Sequence, residues 1–486
     1  MNASSSQTTK ALYITTTLPY VNADPHVGFA MELVRADAVA RYKQLMGCDV
    51  FFNTGTDEHG AKIHEKATEQ GIEPQAYVDT AVTRFKDLIG ALGILPEVHF
   101  IRTTDEHHMK SAQAFWRRCS ANGDIYKGTY EIKYCVGCEL EKTESDLDEN
   151  GCCPIHPTRE LEMREEENYF FRFSAYAERL LELYDRTPDF VVPDFRLSEI
   201  RAFVERGLED FSVSRLKEKM PWGIEVPDDP DHVMYVWFDA LVNYISTLGW
   251  PENTEAFERY WVNGTPTQYA GKDNLRQQSA MWQAMLLSAG LPTSRQIVIN
   301  GFITSGGQKM SKSVGNVISP HELVAAYGTD ALRYYLLREL QPFEDSDFTH
   351  ERFLEVYNAN LANGVGNLVA RVMKMAETHL EASPAIPDDT MPREYKDAFE
   401  RFDLQRAADI AWEHIGTLDE RIAEEEPFKL VKTDPERANE IIRELVVGLY
   451  TVARMLAPLM PSTAAAITEA ITHNTKPATL FPRSEH

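Results

Sequence analysis

What this chain has little of narrows the field first. No apolar run approaches the roughly 18 residues needed to cross a bilayer; residues 445–453 come nearest, and Arg454 ends them. The opening Met-Asn-Ala-Ser-Ser-Ser-Gln-Thr-Thr-Lys holds no apolar stretch of the kind a secretory signal requires. A membrane or secreted protein is therefore not expected, and a soluble, cytoplasmic one is. Positive charge is also short. Lys and Arg total 49 against 75 Asp and Glu, a formal charge of −26, which argues against blanket electrostatic attraction of nucleic acid but leaves room for a local basic track. Much of the acidity sits in residues 139–148 and 160–167, read as a solvated face. Only six cysteines occur, and four of them, Cys135, Cys138, Cys152 and Cys153, fall close together. In a cytosolic chain such clustering points to metal rather than disulfides. Internal repeats and low-complexity tracts are absent.

At 486 residues the chain is long enough for about three domains with sizeable cores. The most informative stretch is its first βα unit, residues 12–29. Residues 12–16 are short, β-branched and apolar, which reads as a buried strand. Asp24 and Pro25 then suit a helix N-cap and first helical position. Val27, Met31, Val34, Ala38 and Leu45 put one apolar face on the helix that follows. His26 and Gly28 thus lie at a helix N-terminus just past the carboxyl end of a strand. In an open α/β sheet free N–H groups gather an anion there, so this is a candidate phosphate or nucleotide site. A histidine and glycine at a helix start also serve as a plain structural cap, so the reading needs a second element. Lys309-Met-Ser-Lys312-Ser supplies one: two lysines beside Gly306 and Gly307 suit a mobile clamp on polyphosphate, although exposed lysines are usually just solvated.

Between these two, residues 50–54 read as a strand ending in Gly55-Thr-Asp-Glu-His-Gly60, where Asp57 could hold an ammonium group or cap the next helix. Residues 73–120 carry helical periodicity. Residues 168–173, 221–227 and 233–240 read as strands, the last two returning to the main sheet. Trp237, Ala240, Leu241 and Tyr244 form a stripe that is either core or the wall of an apolar pocket. Residues 268–273 make another strand, ending in Gly271 and Asp273, a position suited to a ribose hydroxyl.

Cys135-x2-Cys138 and Cys153-x2-His156 are two tight pairs of soft ligands fourteen residues apart, a spacing that suits tetrahedral Zn²⁺; buried thiols are the competing reading. Cys152 could replace Cys153, but the gap to His156 favours Cys153. With four protein ligands the site has no open position, so the zinc would be structural. From Val356 onward the pattern is helical, with Leu361, Val365, Leu368, Val372 and Met375 on one face and Asn360, Asn367 and Arg371 on another, as in an antiparallel bundle. Residues 382–392 form a proline-rich linker.

His26-Val-Gly-Phe29 after the first strand, Lys309-Met-Ser-Lys-Ser after the last, and a zinc knuckle between them resemble a class I aminoacyl-tRNA synthetase. Residues 52–60, Tyr235-Val-Trp-Phe-Asp-Ala240 and Gly271-Lys-Asp273 resemble the methionyl members of that class, over essentially the whole chain. The resemblance implies a Rossmann-like doubly wound parallel sheet, split by a zinc-knuckle insertion and followed by an all-α bundle. The divisions expected are 1–120 and 229–304 for the two sheet halves, 121–228 for the insertion, 305–355 for the lysine loop and stem contact, and 356–486 for anticodon binding. It implies ATP-dependent ligation of L-methionine to tRNA(Met) through a methionyl-adenylate. ATP would meet His26, Gly28, Glu225, Gly271, Asp273, Lys309 and Lys312, with Arg215 near the reacting groups and Mg²⁺ accompanying the phosphates. Asp57 would take the methionine ammonium, and Leu18, Tyr20, Trp237, Ala240, Tyr244 and Gln278 its side chain. Asn367, Arg371 and Phe428 would read the anticodon, although Asn367 and Arg371 also fit an ordinary exposed polar stripe.

Four positions depart from the family pattern: Phe29 replaces a histidine, Gln277 and Gln278 replace an aromatic and a histidine, and Phe428 replaces a tryptophan. With no appended OB-like domain, a monomer is expected. Two other functions remain open on sequence. One is a sister class I enzyme for another apolar amino acid, which would usually need more room for editing than the roughly 110 residues between the sheet halves. The other is a non-catalytic tRNA-binding paralogue, which Phe29 keeps in play.

Overall fold

The computed structural model describes residues 10–135, 140–142, 147–148, 151–153, 161–310, 316–387 and 391–484. Its central sheet has six parallel strands in the order His99–Arg102, Asp49–Thr56, Ala11–Thr15, Thr265–Gly271, Gln296–Asn300, Val191–Val192. The chain begins mid-sheet and winds outward in both directions, so Leu12 pairs with Thr265 and Thr15 with Gln268. This is the expected doubly wound α/β arrangement, and strands that leave a central pair in opposite directions part at their carboxyl ends to open a crevice.

The helix Val27–Leu45 follows the first strand. His26 rather than Asp24 is its N-cap: Nδ1 accepts a hydrogen bond from the Gly28 amide at 3.0 Å. Asp24 instead pairs with Arg84 at 2.5 Å. The helix is buried well beyond its apolar stripe and includes Glu32, Arg35 and Asp37, because the sheet covers one side and the C-terminal helices the other. Asp37 pairs with Arg333 at 2.7 Å, both side chains fully buried. One continuous apolar core runs from Ile14 and Val27 to Leu449 and Ile471.

Residues 73–120 contain a strand as well as helices: His99–Arg102 lies between Pro74–Ala91 and Glu106–Ala121. At four residues on the sheet edge it is too short to impress an alternating pattern on the sequence. The expected return of residues 221–227 and 233–240 to the main sheet does not occur. Glu225–Val226 and Asp229–Met234 form an antiparallel hairpin that is joined by Ser214–Leu216. Asp228, at φ 66°, closes a turn too tight for parallel neighbours, which need a long crossover. Residues Val236–Leu241 are helical.

The insertion is built on Ile125–Cys135 paired antiparallel with Glu162–Phe171 from Ile125↔Phe171 to Tyr134↔Glu162. Cys138 and His156 lie outside the described residues, as does the side chain of Cys135; Cys153 is buried after a turn in which the Cys152 amide donates to Asp148 Oδ1 at 2.9 Å. Among the described residues no group of three or more His, Cys, Asp or Glu side chains is placed to hold a metal ion, and no helix is long and apolar enough to cross a membrane.

The C-terminal region is helical as expected, with Leu361, Val365, Leu368 and Val372 fully buried. The helices Asn367–His379, Leu404–Glu425, Pro435–Leu456 and Pro461–His473 pack around them.

Candidate active site

A cleft of about 910 Å³ opens at the carboxyl ends of the central strands. Residues 17–29 form one wall. Tyr20 lies beside Asp57: the Asp57 amide donates to Pro19 O at 3.0 Å and the Val21 amide to Asp57 O at 3.2 Å. Leu18, Tyr20, Asp57, Trp237, Ala240, Tyr244 and Gln278, all assigned to methionine from the sequence, line this one cleft.

Asp57 is 7% exposed, and its carboxylate oxygen Oδ1 has no hydrogen-bond partner. Burial, followed by the nearby charges of Asp239 and Glu58, raises its carboxyl well above the ordinary range. Burial disfavours the ionised form of such a carboxyl unless a cation meets it. Its neighbours in the motif face elsewhere. Glu58 receives Arg102 Nε and Nη2, both at 2.8 Å, and the hydroxyls of Thr56 and Thr104, both at 2.6 Å. His59 Nδ1 lies 2.6 Å from Asp239 Oδ2, and His108 Nε2 lies 2.8 Å from Asp239 Oδ1. Burial pushes the Asp239 carboxyl up, but the two imidazoles outweigh it and the net shift is downward.

The pocket floor is an amide ladder. Gln278 Nε2 donates to the Tyr244 hydroxyl oxygen at 2.8 Å and Gln278 Oε1 accepts from Gln268 Nε2 at 2.9 Å. Gln277 is not part of the cleft lining.

His26, Gly28, Gly271 and Asp273 line the same cleft. A Cβ at position 28 would lie 2.8 Å from His26 Cε1 and 2.9 Å from Nδ1, so glycine is what allows the histidine to fold over its own helix. Because Nδ1 accepts from the backbone, the neutral ring carries its proton on Nε2 as a donor. Phe29 lines the cleft edge-on to Phe85 at 5.7 Å and contributes only apolar surface. Arg215 enters from the insertion, with Nη1 donating to Ser212 Oγ at 2.8 Å and Ser214 O at 2.7 Å and its guanidinium 4.3 Å from the Tyr235 ring.

Three expected residues are placed otherwise or not described. Glu225 is not in the cleft lining; it is exposed on the insertion hairpin and pairs with Lys217. Lys309 is described by its backbone alone, paired with Thr304, and Lys312 lies outside the described residues. Met310, between them, does line the cleft.

Sequence reasoning missed Glu32. It lines the cleft four residues after Gly28, on the same helix face, and that spacing was the available signal. Its carboxylate accepts from the Thr17 amide at 2.7 Å and hydroxyl at 2.6 Å; burial, opposed by these bonds, moves its pKa up to about 7. Lys219 and Glu166, an ion pair from the insertion, were also missed.

Far from the cleft, Asn367 is exposed at the start of its helix, Arg371 Nη1 donates to Asp419 Oδ1 at 2.8 Å, and Phe428 is 46% exposed.

A doubly wound sheet with an insertion between its halves and a cleft at its carboxyl ends fits a class I tRNA synthetase. The family model described as tRNA synthetases class I (M) matches residues 12–160 and 141–373, and the chain belongs to that family, the methionine–tRNA ligases. It is 40% identical over 483 residues to the methionine–tRNA ligase of Thermotoga maritima, covering 96% of this chain and 76% of that protein. With the Synechocystis sp. enzyme it shares 39% identity, covering 92% and 87%. The structure of Mycobacterium tuberculosis methionyl-tRNA synthetase in complex with methionyl-adenylate matches with a TM-score of 0.84 at 35% identity, covering 98% of this chain and 99% of that one.

Proposed function

We propose that this chain activates L-methionine with ATP and transfers the methionyl group to tRNA(Met). The observation that carries the reading is Asp57, a buried carboxylate with an oxygen awaiting a partner, set between an apolar, aromatic pocket and a helix N-terminus in one cleft. Asp57 holds the amino acid's ammonium. Leu18, Tyr20, Trp237, Ala240 and Tyr244, with Gln278 behind, enclose its side chain. His26 and the amide end of the first helix, at Gly28, receive the phosphates, joined by Lys309 and Lys312; Gly271 and Asp273 seat the ribose.

So held, a methionine carboxylate oxygen attacks the α-phosphorus in line. The bond to the β-phosphate oxygen breaks, giving methionyl-adenylate and pyrophosphate. The 3′-terminal adenosine hydroxyl of tRNA then attacks the acyl carbon and AMP leaves. No side-chain nucleophile is required, so the residues act by positioning and charge, with Arg215 beside the reacting groups. Mg²⁺ that accompanies ATP supplies charge neutralisation at the phosphates. Phe29 brings no donor, which leaves His26 and the lysines to carry that role.

Cys135, Cys138, Cys153 and His156 would hold a structural zinc that braces the insertion; the buried thiol of Cys153 fits that role. The bundle, 356–486, reads the anticodon through Asn367, Arg371 and Phe428, with Arg371 exchanging Asp419 for RNA and Phe428 stacking on a base. The remaining divisions are 1–120, 121–228, 229–304 and 305–355, and the protein acts as a cytoplasmic monomer. Charging of a tRNA(Met) transcript with labelled methionine tests the reading; no acid-precipitable label at micromolar enzyme would refute it.

A further inference from the structure

Two buried side-chain atoms of the cleft-lining residues lack a hydrogen-bond partner: Asp57 Oδ1 and Asn300 Nδ2. The first is an acceptor and has its explanation in an ammonium group. The second is a donor and has none.

Asn300 ends the strand Gln296–Asn300, is 2% exposed, and stands in register with Gly271 on the neighbouring strand. Gly301, Phe302 and Asp273 share that side of the cleft. Its amide orientation is imposed from behind. Arg35 Nη1 donates to Asn300 Oδ1 at 3.2 Å, and a guanidinium can only donate. The oxygen must therefore face the arginine, and the NH₂ turns away from it. Arg35 cannot swing aside: Nη1 also donates to Pro342 O and Nη2 to Gln341 O, each at 2.9 Å. An NH₂ group offers only donors, and a buried donor without an acceptor is costly unless a ligand supplies one.

We propose that Asn300 is a nucleoside-binding residue whose amide donates to an acceptor atom, a purine nitrogen or a ribose oxygen, of the adenosine half of ATP. This rests on the reading of the cleft as an ATP site. Arg35 is its positioning partner, anchored on the segment 341–342 that leads toward the helical region.

Equilibrium binding of ATP by calorimetry, in the wild type and in Asn300→Ala and Asn300→Asp, tests it. Asn300→Asp keeps an acceptor for Arg35, so the fold is supported while the donor is lost; an unchanged unfolding midpoint confirms this. The Kd for ATP is expected to rise about tenfold or more in both variants, and the Kd for methionine to change less than about twofold. Deaza-ATP analogues and 2′- and 3′-deoxy-ATP then locate the acceptor: one of them weakens wild-type binding about tenfold and leaves Asn300→Ala unaffected. ATP affinities within about twofold of wild type in both variants, or analogue losses equal in wild type and Asn300→Ala, overturn the proposal. A wild type that binds ATP but shows no methionine-dependent pyrophosphate exchange would count against the ligase reading alone, and the Kd comparison would still decide Asn300. A wild type that binds no adenosine nucleotide would overturn both.

Discussion

His59 and Asp239 meet at 2.6 Å beneath the cleft, 180 residues apart in sequence and both buried. The contact ties the loop carrying Asp57 to the helix carrying Trp237 and Ala240, so the ammonium seat and the side-chain pocket are fixed relative to each other. His108 takes the other carboxylate oxygen. Asp239→Ala leaves two buried imidazoles without their hydrogen-bond partner and is expected to destabilise by about 1–3 kcal/mol for each, read as a lower unfolding midpoint. Asp239→Asn keeps the shape and is expected to raise the KM for methionine while leaving that for ATP in place; equal changes in both would contradict the coupling.

Asp57→Asn removes the counter-charge for the ammonium. A charged hydrogen bond contributes about 1.5–3 kcal/mol, so the KM for methionine should rise about 10–100-fold with little effect on ATP. The raised carboxyl of Asp57 adds a pH signature. In the free enzyme the group must lose a proton to hold a cation, so wild-type affinity for methionine should strengthen as pH rises through that raised pKa, and this trend should vanish in Asp57→Asn. Calorimetric titrations across that range check it.

Glu32 gives the opposite kind of pH effect, on stability. Its folded pKa of about 7 stands above the ordinary 4.5, so between those values the native state binds the proton more tightly than the unfolded one. The favourable contribution is complete below about 4.5 and fades as pH rises to about 7. Glu32→Gln keeps an acceptor for Thr17 and avoids the buried charge. Between about pH 5 and pH 8 the variant is expected to lose less stability than the wild type, by up to about 3 kcal/mol. Unfolding midpoints measured at both ends of that range decide the matter.

Gly28→Ala forces a methyl group into the His26 ring, which lies 2.8 Å from the ideal Cβ position. Displacing one phosphate donor by about 1 Å costs on the order of 10²-fold in rate. Single-turnover adenylate formation should fall by that order while the unfolding midpoint is retained; a loss confined to the KM for methionine would contradict the phosphate role.

The parts of this site that were legible in the sequence are those concentrated in short runs. Residues 18–28, 55–60 and 235–244 each carry several cleft residues within a few positions, so residue type and strand-end placement pointed to them together. His26 as its own helix cap was not legible, because Asp24-Pro25 has the stronger capping chemistry and only the fold shows Asp24 drawn off to Arg84. Residues 221–227 and 233–240 were misplaced for a related reason: Val226 and Val233 read as strands of the main sheet, but a turn at Asp228 folds them into a local hairpin. Arg35 and Asn300 lie 265 residues apart, and nothing in either neighbourhood announces the other. Pairings of that range emerge only once the two halves of the sheet are side by side.

Methionine-dependent exchange of labelled pyrophosphate into ATP, run against all twenty amino acids with zinc content measured on the same sample, tests the central claim most directly. Exchange with methionine alone, abolished by Asp57→Ala and by Lys309→Ala, is the expected result. Absence of exchange with methionine, or equal exchange with valine, isoleucine or leucine, would contradict it.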